Sequence, residues 1–345
     1  MTLLYRALRP LLFALDPESA HTLSMSGLDA LHALGLARAL AGKLPRIPVH
    51  ALGLEFPNPL GLAAGLDKHG DHIDALGDLG FGFIEIGGVT PRPQPGNPRP
   101  RVFRLREAEA IINRLGFNSL GLDHLVARLE ARRSKVILGV NLGKNLDTPI
   151  ERAADDYIAC LRGVYAHADF ATVNVSSPNT ANLRSLQSAD ELDSVLAAVA
   201  AERERLALEH GRRLPLAVKV APDLDDAAIE AIADRVIARG MDALIATNTT
   251  TGREGIGHLS ASSQAGGLSG APLRAKSTAV IRKFARALGG RVVLIGCGGI
   301  SSVADAQEKL DAGAALLQLY AALVYRGPGL PGEIVRGLAR AKAGG

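Results

Sequence analysis

Short apolar runs recur along the chain, and each ends in small or polar residues. The runs are rich in Val, Ile, Leu or Ala, are too short for a typical helix, and are mostly followed by a stretch of helical character. The eight runs are residues 60–64, 81–86, 136–140, 170–175, 216–220, 243–246, 292–295 and 315–319. Alternating buried strands and helices indicate a parallel sheet covered on both faces, so eight such units predict a closed (β/α)8 TIM barrel. The polar residues after the runs should then converge at the carboxyl end of the barrel.

Residues 1–46 have a different pattern and predict a small N-terminal helical domain ahead of a barrel domain, 47–345. Leucines from Leu4 to Leu15 recur at helical spacing, and Asp16-Pro17-Glu18 reads as an N-cap, a Pro at the first helical position and an acidic first turn. Basic residues outnumber acidic ones here. Two interpretations fit: a helical hairpin packed on the barrel, or an anchor lying in a membrane interface. Periodicity alone favours the first.

Three further segments interrupt the strand–helix alternation. Residues 52–56 and 58–59 predict a short strand pair that closes the bottom of the barrel. The proline-rich segment 91–117 contains two strand-like pieces, 102–105 and 110–113, and the segment 250–272 is rich in Gly and Ser. Because long loops after barrel strands usually cover or bind ligands, we expect both segments beside the site.

Composition narrows the classes of function. The 345 residues exceed the ~250 of a single barrel. The net charge of +4 is spread among interspersed acidic and basic residues, which argues against nucleic-acid binding. Cys160 and Cys297 are far apart and outside any C-x-x-C pair, so we expect no disulfide framework and no metal site. We also expect no secretory signal and no spanning helix, since no stretch of ~20 mostly apolar residues is present.

Two lysines are candidates for charge stabilisation. Lys219 lies inside the apolar run 216–220, and lysine is rarely buried without a partner. It could form a Schiff base with a carbonyl substrate, or it could stabilise negative charge on a bound cofactor. Lys68 ends the first strand and could add a second positive charge, although a surface lysine fits the local sequence equally well.

Amides and one serine are the other candidates at the strand ends. Several converging amides suit a ligand that mixes hydrogen-bond donors and acceptors, such as a cyclic imide. Ser177 in the segment 174–179 could be a nucleophile or a proton carrier, but it stands outside a G-x-S-x-G elbow. His69 and His72 read as solvated residues. The amides are Asn113, Asn141, Asn174, Asn179 and Asn248.

A glycine-rich segment follows the seventh run. Residues 296–299 read Gly-Cys-Gly-Gly, and the Ser301-Ser302 pair after them predicts a helix start. Such a loop lets the backbone and a helix N-terminus bind a phosphate, as the loops after strands seven and eight of barrels often do. A tight turn that needs Gly is the simpler alternative.

Taken together, these motifs resemble dihydroorotate dehydrogenases of class 2, the quinone-dependent and membrane-associated form. The resemblance covers nearly the whole chain. The motifs that carry it are 16–21 (DPESAH), 58–68 (NPLGLAAGLDK), 90–97 (TPRPQPGN), 113–118 (NRLGFN), 174–180 (NVSSPNT), 246–250 (ATNTT) and 266–270 (GGLSG).

The resemblance implies a barrel that holds FMN and an N-terminal helical domain through which a membrane quinone enters. It implies that Ser177 removes the C5 proton of dihydroorotate while hydride passes from C6 to FMN, with Thr180 and Phe117 shaping the proton relay. It places a quinone near His21 and Arg104. Residues that match dihydroorotate or orotate positions are Lys68, Asn113, Arg114, Leu115, Gly116, Phe117, Asn174, Asn179, Asn248 and Thr249. Residues that match FMN positions are Ala64, Gly65, Leu66, Asp67, Lys68, Gly88, Asn141, Asn174, Lys219, Thr247, Gly270, Gly299, Tyr320 and Ala321.

Two departures from the family pattern concern the cofactor. Gly88 stands where relatives often have Thr, and Ala321 stands where Ser is common, so each removes at most one hydroxyl hydrogen bond. The resemblance further implies pyrimidine biosynthesis and a peripheral position on the cytoplasmic side of the cell inner membrane. The alternatives are a Schiff-base aldolase using Lys219, a soluble FMN dehydrogenase with another acceptor, and an inactive membrane-surface protein.

Overall fold

A closed barrel of eight parallel strands forms the centre of the computed structural model, which describes residues 3–180 and 183–344. The strands are β1 (Val49–Ala51), β2 (Leu54–Phe56), β3 (Leu60–Leu62), β4 (Phe83–Val89), β5 (Val102–Leu105), β6 (Ala110–Asn113), β7 (Ile137–Leu142), β8 (Phe170–Asn174), β9 (Leu216–Val220), β10 (Ala243–Ala246), β11 (Gly267–Gly270), β12 (Val293–Cys297) and β13 (Leu316–Leu319). The helices are α1 (Leu3–Ala14), α2 (Pro17–Ala33), α3 (Ala37–Ala41), α4 (Ile73–Gly77), α5 (Leu122–Ala131), α6 (Ala153–Val164), α7 (Ala189–His210), α8 (Asp226–Ala238), α9 (Arg274–Leu288), α10 (Val303–Asp311), α11 (Ala321–Arg326) and α12 (Leu330–Gly344). Around the barrel the order is β3-β4-β7-β8-β9-β10-β12-β13, and β13 pairs with β3 to close it.

The predicted TIM barrel is confirmed, because every one of the eight predicted runs coincides with a barrel strand. The bounds agree fully at β9 and β10 and shift by a few residues elsewhere. The largest extension is in β4, which continues to Val89 because Gly87 and Val89 still pair with β7. A strand ends where its neighbour stops pairing with it, and hydropathy alone does not report this point.

Aromatic side chains fill the amino-terminal half of the barrel interior. The Phe83 ring packs edge-on against Phe56 and Phe170, with ring centroids 5.3 and 6.0 Å apart. Gly61 and Gly139 make room for these rings, since a Cβ there would lie 2.3 Å from Phe83 and 2.1 Å from Phe170. This apolar plug confines the polar interior side chains to the carboxyl half, where the site is expected.

The hairpin below the barrel corrects one prediction. The strand predicted at 52–56 is present as β2, but its antiparallel partner is β1, upstream, and not residues 58–59. Leu52 and Gly53 both have positive φ, 56° and 72°, which makes a tight two-residue turn that brings β1 onto β2. Asn58 instead turns the chain into the barrel, and its Oδ1 accepts the N–H of Leu60 at 3.0 Å.

The two long insertions meet in a second, smaller sheet. Strands β5 and β6 form at the predicted bounds, and β11 pairs antiparallel with β6. The sequence did not predict β11, because its residues, Gly-Leu-Ser-Gly, are poor strand formers. Pairing with β6 therefore decides the structure of this segment.

The N-terminal helices pack on the barrel and on the first insertion. Asp16 caps α2 as predicted, since its Oδ1 accepts the N–H groups of Glu18 at 3.0 Å and Ser19 at 3.1 Å. The Phe13 ring meets Tyr325 edge-on at 5.4 Å. Residues 1, 2, 181, 182 and 345 of the two predicted domains lie outside the described residues, and within those described no helix is long and apolar enough to cross a bilayer.

Candidate active site

One large cavity opens at the carboxyl end of the barrel, above the aromatic plug. The space within it, including the part open to solvent, is about 1080 Å³. The predicted residues that line it are Ala64, Gly65, Lys68, Gly88, Asn113, Leu115, Gly116, Phe117, Asn141, Asn174, Ser177, Asn179, Lys219, Thr247, Asn248, Thr249, Gly270, Gly299, Tyr320 and Ala321.

Lys219 is an unpaired cation in the cavity floor. Its residue is 5% exposed, and the ladder of β9 places it beside Asn174 on one neighbouring strand and Ile245 on the other. Among the described residues its ammonium makes no hydrogen bond and no ion pair. Burial raises the pKa of the Cys297 thiol, and the positive charge of Lys219 opposes that rise. A buried charge without a partner costs several kcal/mol, so this site is built for an anionic or electron-rich ligand.

Three asparagines form a continuous hydrogen-bonded row across the cavity floor. Asn174 Nδ2 donates to Asn141 Oδ1 at 2.9 Å, and Asn248 Nδ2 donates to Ser176 Oγ at 3.0 Å. Ser176 Oγ in turn donates to Asn174 Oδ1 at 3.1 Å. The structure brings the five predicted amides together at one cavity, and Ser176 is a member of the row that the sequence did not single out.

Ser177 lies at the cavity wall, after the end of β8. Its Oγ accepts the N–H of Asn179 at 3.3 Å, and Asn179 Nδ2 donates to Asn113 Oδ1 at 3.3 Å. Thr180 is buried and its Oγ1 has no partner among the described residues. Phe117 lines the cavity with a buried ring and a left-handed backbone at φ 52°, a conformation that surrounding contacts must hold in place.

The loop after β3 presents Lys68 to the cavity. The buried carboxylate of Asp67 holds this loop, accepting the N–H groups of Asp71 at 3.1 Å and His72 at 2.9 Å. Burial, aided by the Arg101 guanidinium, lowers the pKa of Lys68 to about 8, against the opposing charge of Glu18. Lys68 is therefore a cation at neutral pH that becomes uncharged in mildly alkaline solution.

The glycine-rich loop after β12, two strands from β3 in the barrel, offers a close backbone approach to the cavity. Gly298 and Gly299 have φ of 112° and 74°, and a Cβ at Gly299 would lie 2.4 Å from the backbone of Arg274. Ser277 Oγ braces the loop by donating to the Gly298 carbonyl at 2.9 Å, and buried Lys309 donates to that Oγ at 2.5 Å. The helix predicted after this loop is α10, whose first N–H groups are capped by Ser302.

The departure at Gly88 has a steric reason in this chain. A Cβ at residue 88 would lie 2.5 Å from the Phe117 ring and 3.1 Å from Asn141 Oδ1. A threonine at this position would require Phe117 to move. Glycine at residue 88 therefore leaves the space that the Phe117 ring occupies. The backbone of residue 88 still lines the cavity.

Several predicted residues stand behind the cavity wall and do not line it. Arg114 points outward, stacks 4.6 Å above the Phe103 ring and donates to Gln264 Oε1 at 2.9 Å and to the Pro100 carbonyl at 2.8 Å. We expect Arg114 to act on the cavity through the insertions that it holds together. The other predicted residues outside the lining are Leu66, Asp67, Thr180, His21 and Arg104.

The two residues predicted near a quinone lie at the N-terminal helices. His21 is on α2, with an exposed side chain. Arg104 on β5 donates to the carbonyl of Leu12 at 3.1 Å and lies 4.8 Å above the Phe13 ring. Phe13 belongs to an apolar cluster that continues through Ala321 to Tyr320 at the cavity wall. An apolar path therefore joins α1 to the cavity.

Some cavity residues were not among the predicted site residues. Cys297 ends β12 and Ser301 lies in the loop that follows, whereas Ser269 and Glu109 come from the insertions. Cys297 and Ser301 belong to the glycine-rich segment and the helix start that the sequence singled out, although neither side chain was assigned a role. Nothing in the local sequence marks Glu109, which the fold brings to the cavity and pairs with Arg326 at 3.1 Å.

The fold and site define a TIM barrel with a ligand cavity at the carboxyl end of its strands, and comparison with known proteins shows the family. Residues 46–341 match the model of the dihydroorotate dehydrogenase family. The dihydroorotate dehydrogenase (quinone) of Pseudomonas aeruginosa is 57% identical over 336 residues, 97% of this chain and 98% of that protein. The protein of the same name from Methylococcus capsulatus is 57% identical over 95% of this chain and 97% of its own length. A crystal structure of the Eimeria tenella enzyme with ferulenol superposes with a TM-score of 0.85 at 38% identity, covering 95% of this chain and 93% of that one.

The chain belongs to the dihydroorotate dehydrogenase family, in its quinone-dependent class 2. The family is flavin-dependent, so the Schiff-base alternative for Lys219 is not favoured.

Proposed function

We propose that this chain oxidises dihydroorotate to orotate, with FMN in the barrel cavity as hydride acceptor and a membrane quinone as final acceptor. This places the protein in pyrimidine biosynthesis. FMN as the cofactor is supported by two features that occur together in one cavity. One is the buried cation of Lys219, which has no partner among the described residues, and the other is the loop at Gly298 and Gly299, whose backbone a ligand can approach closely. When bound, FMN accepts the hydride and later yields electrons to the quinone.

The chain's own residues divide between the two ends of that cofactor. The backbone at Gly298 and Gly299 fits a phosphate, since glycines allow close approach and α10 follows with its N-terminus. Lys219 fits the electron-rich edge of the ring system, where a cation stabilises the reduced, anionic state. Thr247, Asn141 and Tyr320 complete the cofactor side of the cavity wall.

We assign to the substrate side of the cavity Lys68, Ser177, Asn113, Asn174, Asn179 and Asn248, all of which line it. Dihydroorotate carries a carboxylate and a ring of alternating N–H and C=O groups. We assign the carboxylate to Lys68 and the ring to the amides, which supply donors and acceptors together. Ser177 takes the C5 proton, and Thr180 and Phe117 shape the path by which the proton leaves.

The N-terminal helices fit a bilayer surface. Leu11 and Leu23 are 68% and 56% exposed, and Leu8 and Leu15 extend this apolar surface on α1 and beyond its end. Basic residues of the same element favour anionic lipid, each contributing about 1 kcal/mol close to the surface. We place the protein on the cytoplasmic side of the inner membrane, with quinone reaching Tyr320 past Phe13, His21 and Arg104.

The visible spectrum of the purified protein tests the proposal directly. A flavoprotein is yellow, and anaerobic dihydroorotate should bleach it, with quinone restoring the colour. A colourless protein, or a flavin that dihydroorotate fails to reduce, would contradict the proposed reaction.

Lys219→Ala should lower FMN occupancy or shift the flavin reduction potential downward. The reason is that the variant removes the positive charge that stabilises the reduced ring. The measurement is flavin content after purification, followed by a redox titration. Occupancy and potential both at wild-type values would show that the charge serves something else.

Orotate affinity should fall as pH rises through about 8, because the protonated form of Lys68 binds the carboxylate and its pKa is lowered to about 8. Above that pH the dissociation constant should rise about tenfold per unit. Lys68→Arg keeps its charge at all these pH values and is the matched control. Equal pH profiles for the two proteins would assign the titration to another group.

A further inference from the structure

A buried carboxylate below the cavity, Glu85, has no part in the function proposed above. Its residue is fully buried in the barrel interior on β4. Within residues 3–180 and 183–344 no cation pairs with it. Its two oxygens instead accept from two amides: Asn141 Nδ2 donates to Oε1 at 2.7 Å, and Gln318 Nε2 donates to Oε2 at 2.5 Å.

The contact with Asn141 is the first link in a directed chain. Because Asn141 turns its NH2 toward Glu85, its carbonyl oxygen faces Asn174 and accepts from Asn174 Nδ2 at 2.9 Å. The carbonyl oxygen of Asn174 then accepts from the backbone N–H of Ser176 at 3.2 Å and from Asn248 Nδ2 at 3.4 Å. In each of these hydrogen bonds, the donor belongs to the residue farther from Glu85 along the chain of contacts and the acceptor to the residue nearer to it.

The direction of this chain matters because an amide side chain has two orientations of nearly equal shape. A carboxylate accepts hydrogen bonds only, so it admits one orientation of the amide beside it. The carbonyl oxygen of Asn141 is thereby set to face Asn174, while the backbone N–H groups of Ser176 and Thr249 also hold Asn174 and Asn248; all three amides line the cavity. With a neutral amide at position 85, Asn141 can take either orientation, and one of them turns its NH2 group against that of Asn174, which the backbone N–H of Ser176 holds in place.

We propose that Glu85 is a positioning residue that fixes the orientation of Asn141 and so keeps the row of Asn141, Asn174 and Asn248 in the donor and acceptor pattern that a complementary ligand ring requires. The inference rests on the proposed function, since orotate is the ring that the pattern recognises. Glu85 touches neither substrate nor cofactor and acts through the amide row.

Glu85→Gln is the main variant, because it keeps the shape and removes the acceptor-only character. In flavin-loaded protein, the dissociation constant of orotate should rise about tenfold or more, as expected when a site leaves ligand hydrogen bonds unmade. Binding is followed by calorimetry, and flavin content and the unfolding temperature are recorded in parallel. Thr172→Val is the matched control, because Thr172 is equally buried in the barrel interior and its Oγ1 has no partner among the described residues. It should leave orotate affinity unchanged.

The double variant E85Q/N141D separates positioning from a merely structural role. Its new carboxylate at position 141 accepts from the new amide at position 85 and still accepts from Asn174 Nδ2, so the direction of the row beyond it is restored. Orotate affinity should return to within about threefold of wild type. Should E85Q not fold, orotate binding by the double variant more than tenfold weaker than wild type still refutes the positioning role.

The outcomes separate this inference from the proposed function. Wild-type protein that binds no orotate refutes the proposed function itself. If wild type binds orotate and E85Q matches T172V, or if the double variant binds orotate no better than E85Q or more than tenfold more weakly than wild type, the positioning role is refuted.

Discussion

Ser177→Ala is expected to leave FMN bound and to slow its reduction by dihydroorotate about 10²–10⁴-fold, the usual loss when a general base is removed. The physical reason is the position of Ser177 at the cavity wall, where its Oγ accepts only the Asn179 N–H at 3.3 Å among the hydrogen bonds of the described residues. The measurement is anaerobic stopped-flow of flavin absorbance. Near-normal reduction would reject Ser177 as the base.

Ser177→Cys provides the matched comparison for this variant. A thiol titrates with an ordinary pKa of about 8.5, so the cysteine variant should regain part of the rate and gain speed as pH rises through that region. A pH profile unchanged from that of Ser177→Ala would show that the side chain at 177 does not handle the proton.

Deletion of residues 1–46 is expected to separate the two half-reactions. In flavin-loaded protein, dihydroorotate should still bleach FMN, whereas reoxidation by quinone in lipid or detergent should fail and liposome binding should be lost. The reason is that the deletion removes the exposed leucines and Phe13, which packs 5.4 Å from Tyr325 and connects the helices to the cavity wall. If the deleted protein were reoxidised by quinone as fast as the full chain, residues 1–46 would serve only in packing and not in quinone access.

A pair of point variants avoids the loss of fold that the deletion risks. Leu11→Glu places a charge on the apolar surface of α1 without touching the core, since Leu11 is 68% exposed. It should weaken liposome binding and quinone reoxidation together. Leu208→Glu is the control, because Leu208 is 89% exposed on α7, outside the N-terminal helices, and should change neither. If Leu11→Glu and Leu208→Glu changed liposome binding and quinone reoxidation equally, the proposal that the N-terminal helices anchor the protein to a membrane would be contradicted.

Local sequence was sufficient for the elements that local physics controls. The eight barrel strands, the capped start of α2 and the hairpin β5–β6 follow from apolar runs, an Asp-Pro-Glu signal and strand-like pieces near proline. The candidate residues on the cavity wall follow equally well, because in a closed parallel barrel every strand end points to the same face. Lys219 was identifiable as a charge inside an apolar strand.

Tertiary structure alone decided what these residues do to one another. Glu85 carries the same signal as Lys219, a charge within an apolar run, yet its meaning depends on Gln318, 233 positions away, and on Asn141 on the adjacent strand. Arg114 belongs to a cavity-lining motif, but the second insertion turns its guanidinium outward. Strand β11 forms because β6 offers an edge and not because its glycines favour extension. Periodicity encodes which face of an element is buried. The partners of a buried polar group depend on how distant segments of the chain pack together, and no local pattern records this.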